Sequence, residues 1–329
     1  MLSTVASVAA TLTPERLEEA RLLIRHEFDG LDAHGQYFNA FARLLKADPL
    51  GRVPMLGTDQ REQFVPVIRQ ALAAGPQRLL AILDVGCGDG ATFELFAGAV
   101  PAGTTIDLID PNADYVAAYV ARLTRREDIR LGAAHVAGFA PDPADSGFAP
   151  PLARAYDLIL CLHSLYFFDD LPASIADLYA RLAPGGVLVV VFADETIAHT
   201  GVCYRAHVEQ FDPALAAVHA QVCAERLALF EGGSAADPGV VRRLAGSQAH
   251  AARQPTRLFG HSIADIVALS NIAGLAGQEG VAKFDAALGL LAGDPDRLGF
   301  RIETDPASPR LGMLSVQQPQ VVCTIAKPA

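Results

Sequence analysis

Tryptophan is absent from this 329-residue chain, and aromatic residues together make up only 7% of it. Hydrophobic residues still reach 51%, much of that alanine. The core is therefore expected to be closely packed and helix-rich rather than built on large rings. No CxxC occurs among the cysteines, which are odd in number: Cys87, Cys161, Cys203, Cys223 and Cys323. That excludes a disulfide framework and points to reduced thiols in a cytoplasmic protein. The opening Met1-Leu2-Ser3-Thr4-Val5-Ala6 lacks the basic segment of a secretory leader. No run approaches the roughly 18 consecutive apolar residues that a membrane span needs, so a soluble chain is expected. Basic clusters are missing too, the densest lying at Thr124-Arg125-Arg126, and the net charge is −11. A nucleic-acid partner is thereby excluded, because phosphate binding needs a basic stripe. The acidic balance favours a cationic or neutral small molecule instead.

What is present falls into zones. Residues 1–77 read as a helical segment: Thr13 caps a helix with Pro14 at its first position, and Leu17, Ala20, Leu23 and Ile24 form its apolar face. Further helices are expected at about 34–45 and 59–73, with a Pro/Gly loop between them and a break at Gly75-Pro76. Residues 78–192 alternate short apolar runs with helical segments, the mark of βαβ units. Strands are expected at Leu79–Val85, Thr104–Ile109, Ile129–Ala133, Tyr156–Leu162 and Val187–Phe192. Residues 193–299 return to helix, with a polar break near Glu231–Pro238 and Ser262 capping a helix over 263–272. Two final strands, Phe300–Thr304 and Val321–Ala326, are expected to complete the sheet within 300–329. No repeat or low-complexity segment is found.

The strongest motif is Ile82-Leu83-Asp84-Val85-Gly86-Cys87-Gly88-Asp89-Gly90, an apolar strand running into three alternate glycines and then a helix. Glycine allows backbone angles closed to other residues and lets the chain lie against a ligand. The helix N-terminus that follows offers N–H groups to a carboxylate or phosphate. Twenty residues beyond Gly90, Asp110 ends the second strand, where an acid can accept from both ribose hydroxyls of a nucleoside. Gly86-Cys87-Gly88-Asp89-Gly90-Ala91 also satisfies a dinucleotide-binding variant, so an NAD-dependent dehydrogenase is a rival. Against it stand Asp84 before the glycines, the GxGxG spacing, and Pro184-Gly185-Gly186 before the fifth strand.

These residues resemble the class I S-adenosylmethionine-dependent methyltransferases. Asp84 to Gly90 resembles their first motif, Asp110 their ribose-binding acid, Tyr156 to Cys161 their fourth strand, and Leu182-Ala183-Pro184-Gly185-Gly186 the turn before the fifth. A narrower similarity is to the histamine N-methyltransferase-like small-molecule enzymes. It is carried by Asp32-Ala33-His34-Gly35-Gln36-Tyr37-Phe38 with Phe41, by Asp110-Pro111-Asn112-Ala113, by Leu165-Tyr166-Phe167-Phe168-Asp169-Asp170, and by the last strand after Gln317-Gln318.

The resemblance implies a Rossmann-like α/β fold: a seven-stranded, mostly parallel sheet with helices on both faces. N-terminal helices and a helical insertion would cover the active site. It implies S-adenosylmethionine bound by Asp84, Gly86, Cys87, Gly88, Gly90, Asp110, Pro111, Tyr115, Gly138 and Leu162, and methyl transfer to a nitrogen of a small molecule with release of S-adenosylhomocysteine. Acceptor contacts fall on Tyr37, Phe38, Asp59, His163, Tyr166, Phe167 and Gln318. Three of them depart from the family, with His163 standing for its Gln, Gln318 for its Asn and Asp59 nearest its Glu. An amine-like acceptor is therefore expected rather than histamine itself.

His163 and Tyr166 are the expected catalytic residues, because a protonated amine must lose a proton before it attacks. The rings of Tyr166, Phe167 and Phe168 can enclose a cationic or planar acceptor. Attack by sulfur or oxygen, or a binding protein without catalysis, remain open as alternatives. His199, Cys203 and His207 recur every four residues, and His219 with Cys223 repeats the spacing. Gly201 interrupts the first series and no nearby acid or Cys pair completes a zinc set, so no metal is expected.

Overall fold

The computed structural model describes residues 8–45, 55–74, 80–139, 154–231, 241, 244, 248–272 and 281–329. The chain divides into two compact units. One comprises 61–193, 225–254 and 321–329; the other comprises 1–60, 194–224 and 255–320. In chain order the strands are β1 (Ala81–Val85), β2 (Thr104–Asp110), β3 (Ile129–Val136), β4 (Tyr156–Leu162), β5 (Leu182–Ala193), β6 (Ala249–Gln254), β7 (Arg257–Gly260), β8 (Arg301–Ile302), β9 (Leu314–Gln317) and β10 (Gln320–Ala326).

The first unit holds a seven-stranded sheet in the order β3-β2-β1-β4-β5-β10-β6. The five strands β3, β2, β1, β4 and β5 pair in parallel. Apolar residues alternate between its faces. Ile82, Leu158, Leu160, Val189 and Val191 pack with Phe64, Ile68, Phe93 and Tyr119. Leu83, Val85, Ile159, Cys161, Leu188 and Val190 pack with Ile175, Leu178, Leu227 and Phe230. Helices cover both faces, which is why the strands read as nearly continuous hydrophobic runs. Each fully buried Leu, Ile or Val contributes about 1.5–3 kcal/mol. The sheet also contains one well-satisfied polar cluster: Asp107 accepts from Ala133 N at 2.7 Å and from the Tyr156 hydroxyl at 2.7 Å.

The second unit joins helices to a small antiparallel sheet ordered β7-β9-β8. Its helix Pro14–Phe28 starts as the sequence predicts, with Thr13 accepting from Arg16 N at 3.4 Å and Pro14 in the first turn. Ser262 and Asp265 close a full capping box on helix Ile263–Leu269. Ile24, Phe28, Val267, Phe284 and Leu291 lie in its core. Arg310 is buried and braces the segment 56–58, which bridges β7 through Thr58 and Leu258: Nε donates to Leu56 O at 2.9 Å and Nη2 to Thr58 O at 2.7 Å, while the guanidinium lies over Phe259.

Three differences from the sequence reading stand out. The zone 193–299, expected to be helical, contains β6 and β7. Of the two final strands, only β10 joins the seven-stranded sheet; Phe300–Thr304 shrinks to β8 and pairs in the small sheet. The physical reason is pattern. β6 reads Ala-His-Ala-Ala-Arg-Gln, without a β-branched residue, and β7 has four residues. The breaks expected at Gly75-Pro76, at 46–54 and after Glu231 lie outside the described residues. No described helix is long and apolar enough to cross a membrane.

Arg310→Met should cost about 3 kcal/mol of stability, because two buried carbonyls would lose a charged donor. Urea unfolding monitored by circular dichroism checks this; a loss under about 0.5 kcal/mol would show that the brace is dispensable.

Candidate active site

Strand order reverses about β1: the chain leaves β1 toward β2 and β3, then returns to place β4 on its other side. In parallel α/β sheets ligands bind at the carboxyl ends of the strands flanking such a reversal. The register aligns those ends, with Val85 opposite both Ile109 and Cys161. The glycine loop, Asp110 and His163 all follow directly from them.

The loop has left-handed backbone at Gly86, Gly88 and Gly90, with φ of 66°, 55° and 78°. Two of these glycines are also forced by packing. A Cβ on Gly86 would stand 2.1 Å from Ser164 Cβ, and one on Gly90 would stand 2.4 Å from the Tyr119 ring. Gly88 differs: its Cβ position meets nothing within 4 Å, so the loop presents bare backbone to open space there. Asp110 is buried and bridges the two loops, accepting from Gly88 N through Oδ2 and from Asn112 N through Oδ1, both at 2.9 Å. Arg122 clamps Asp89 through its carbonyl at 2.7 Å and its carboxylate at 2.9 Å.

Beneath the loop, Asp84 is 6% exposed and accepts from the Tyr119 hydroxyl at 3.2 Å. Burial pushes its carboxyl up to about 7, opposed by that hydrogen bond and reinforced by the charge of Asp110. Burial, then the charges of Asp84 and Asp110, raise the Cys87 thiol, so Cys87 stays protonated and unreactive. Pro111 and Gly138 are exposed at the ends of β2 and β3, while Tyr115 and Leu162 are half-buried.

After β4 the chain turns sharply. His163 has φ 57°, the one non-glycine with left-handed backbone among the described residues. Such a conformation costs of order 1–3 kcal/mol and clusters at functional sites. Its N–H donates to Val191 O at 2.7 Å, and Nδ1 lies 3.3 Å from the Tyr166 hydroxyl. Tyr166 oxygen also accepts from Ala193 N, and the Arg226 guanidinium lies 5.2 Å from its ring centre. Phe167 is 66% exposed. Ser164 points the other way, donating to Val85 O at 2.7 Å and so stitching β4's exit to β1's.

Tyr37, Phe38, Asp59 and Gln318 belong to the other unit. Tyr37 packs edge-on against Phe38 and stacks on Phe41. Asp59 accepts from Arg257 N at 2.6 Å. Gln318 is buried, donating to the Thr200 hydroxyl at 3.0 Å. The last two side chains therefore hold backbone and helix in place within that unit. Ser164, Arg122 and Arg226 escape sequence reasoning, since no motif marks them.

Comparison with known proteins decides the family. A family model described as "Methyltransferase domain" matches residues 56–225, just over half of the chain. The chain belongs to that methyltransferase-domain family. It is 34% identical over 113 residues to trans-aconitate 2-methyltransferase of Delftia acidovorans, covering 34% of this chain and 38% of that one. It is 36% identical over 122 residues to nocamycin O-methyltransferase of Saccharothrix syringae, covering 37% and 40%. These matches thus span two-fifths or less of the relatives' own length. The crystal structure of the YcgJ protein from Bacillus subtilis is 14% identical, with a TM-score of 0.47 over 82% of this chain and 99% of that one.

S-adenosylmethionine is the cofactor of this methyltransferase domain, and the residues fit it. The open backbone at Gly88 and the carboxylate of Asp110 leave a flat, acid-edged cradle that a side chain at 88 would fill.

Gly86→Ala should unfold the sheet-bearing unit or destabilise it by several kcal/mol. Gly88→Ala, strained only by its backbone, should cost about 1 kcal/mol and act mainly on cofactor affinity. Thermal melts alongside cofactor titration separate the two, and equal melting losses would contradict the distinction. Asp84 gives a pH signature. Its folded value lies above the ordinary 3.8, so it binds more protons when folded, and stability should fall as pH rises from about 4 to about 7. Unfolding at pH 5 and pH 8 should show a drop of a few kcal/mol that Asp84→Asn removes. An unchanged slope in that variant would place the carboxyl in water.

Proposed function

We propose that this chain transfers a methyl group from S-adenosylmethionine to a nitrogen of an amine-like small molecule, in the manner of the histamine N-methyltransferase-like enzymes. The observation that carries this reading is His163. A residue held in left-handed backbone, at the strand end beside the cofactor loop, keeps an imidazole where glycine would be easier. When bound, the cofactor supplies an electrophilic methyl carbon on a positively charged sulfur. Asp110 would accept from its ribose hydroxyls, and the loop from Gly86 to Gly90, with Pro111, Tyr115, Gly138 and Leu162, would hold the rest of it. In the tautomer with the proton on Nδ1, His163 donates to Tyr166 and turns the Nε2 lone pair toward the acceptor. It then takes the acceptor's proton as attack proceeds. Tyr166, fixed by Ala193 N, orients that ring. Phe167 is assigned to the acceptor.

A second reading, transfer to oxygen, is favoured by Arg226. Its cation already covers one face of Tyr166 and would suit a carboxylate or phenolate better than an ammonium. The nocamycin enzyme's name points the same way.

Calorimetric titration with S-adenosylmethionine, S-adenosylhomocysteine and NAD in parallel tests the cofactor. Both sulfur ligands should bind, at least about tenfold more weakly to Asp110→Ala. Binding of NAD alone, or of nothing, sinks the proposal. His163→Ala should lower kcat about 10²–10⁴-fold while leaving cofactor affinity intact. Mass gain on panels of amines, carboxylates, phenols and thioethers separates nitrogen from oxygen and sulfur, and an enzyme active only on carboxylates would replace the first reading with the second.

A further inference from the structure

Outside the methyltransferase site, the structure brings Glu195 to two side chains of a later helix, His219 and Cys223. Glu195 follows β5 by two residues, and its segment is fixed by Arg205, whose Nη1 and Nη2 donate to the Glu195 and Thr196 carbonyls at 2.7 Å each. His219 and Cys223 lie one turn apart on the helix Pro213–Glu231 and so share a face. Glu195 and Cys223 are buried, and His219 is half-buried. Cys223 Sγ is 3.8 Å from Glu195 Oε2 and 3.6 Å from His219 Nδ1. One ligand atom from each residue falls within 4.8 Å of the others.

The two separations from sulfur approach those of a coordination shell. Bonds of about 2.3 Å to sulfur and 2.0–2.2 Å to nitrogen or oxygen, at a tetrahedral angle, set donor atoms about 3.6 Å apart. A thiol and an imidazole one helical turn apart also meet at His199 and Cys203; what sets this group apart is the buried carboxylate of Glu195 brought to the same sulfur. We propose that Glu195, His219 and Cys223 form a three-ligand site for a divalent, zinc-type cation, with the fourth position open to water or an exogenous ligand.

The donor set supports that class of ion. Thiolate, imidazole and carboxylate together suit a borderline-soft metal in tetrahedral geometry, whereas calcium and magnesium take oxygen. Binding transfers the Cys223 proton to solvent, and its sulfur gives an electron pair to the metal with no change of oxidation state. Two anionic ligands then balance a doubly charged ion, leaving a neutral buried centre. Tyr204 packs against His219 with ring centres 4.3 Å apart and planes tilted by 56°, which restricts the imidazole's orientation as outer-shell partners of metal sites do.

The spacing that first drew attention to this stretch, His199 with Cys203, is a different arrangement. His199 Nε2 is 3.0 Å from Ile266 O and Nδ1 is 3.5 Å from Cys203, and no third ligand joins them among the described residues. That pair serves as the internal control.

Cobalt(II) titration of chelator-treated full-length protein tests the site without reference to methyl transfer. The expected result is one equivalent bound, with the near-ultraviolet thiolate-to-cobalt band and the visible bands of four-coordinate cobalt, both lost on adding zinc(II). Cys223→Ser should abolish the thiolate band, and Glu195→Gln and His219→Ala should each weaken binding at least about tenfold. Cys203→Ser should change nothing. Absence of a thiolate band in the native protein overturns the proposal. So does a band that survives in a Cys223→Ser variant whose circular dichroism is native. Should that variant fail to fold, native-like cobalt affinity in Glu195→Gln would overturn it equally.

Discussion

The hydrogen bond from Ser164 to the Val85 carbonyl joins the exits of two neighbouring parallel strands at the point where the sheet changes direction. Once that bond is made, the serine side chain fills the space a Cβ at residue 86 would need, and Gly86 becomes the residue that the packing tolerates. Gly86 and Cys87 then direct their N–H groups to Ile109 O, at 2.8 and 3.1 Å. The loop is thereby pinned to β2 as well. Asp110, one residue further, reaches back to Gly88. Three strands thus meet through a few short contacts, and the bare backbone at Gly88 is what they leave facing outward.

The same region shows two carboxylates in opposite electrostatic situations. Asp107 is satisfied by an amide and a phenol with a guanidinium nearby, and it anchors the middle of β2. Asp84 has one weak phenolic partner and a carboxylate neighbour, so it tends to hold its proton. Below about pH 7 the acid under the loop carries its proton, which limits the negative charge beneath Asp110.

Much of this was legible in the sequence, and the limits have physical causes. Strands β1, β2, β4 and β5 declared themselves because they are almost wholly buried, making each an apolar run, whereas the edge strand β3 buries only its first residue. The glycine spacing and the acid ending β2 marked the loop that the structure sets at the strand reversal, and Ser262 announced its helix as a cap. What escaped is of another kind. β6 has alanines and polar residues where β-branched ones would signal a strand, and β8 has two residues. Ser164 and Arg226 act through single contacts that no spacing encodes. Glu195 stands 24 residues before His219, too far for a ligand pattern read along the chain; only the fold places it there.

The left-handed backbone at His163 carries a consequence for any attempt to improve this protein. A glycine at that position would relax the main chain and at the same stroke delete the imidazole. On the proposed role of that imidazole, resistance to heat and turnover pull in opposite directions at one residue. Selection for thermal tolerance alone would drift toward a hardier but idle molecule, so a useful screen has to score product as well as survival.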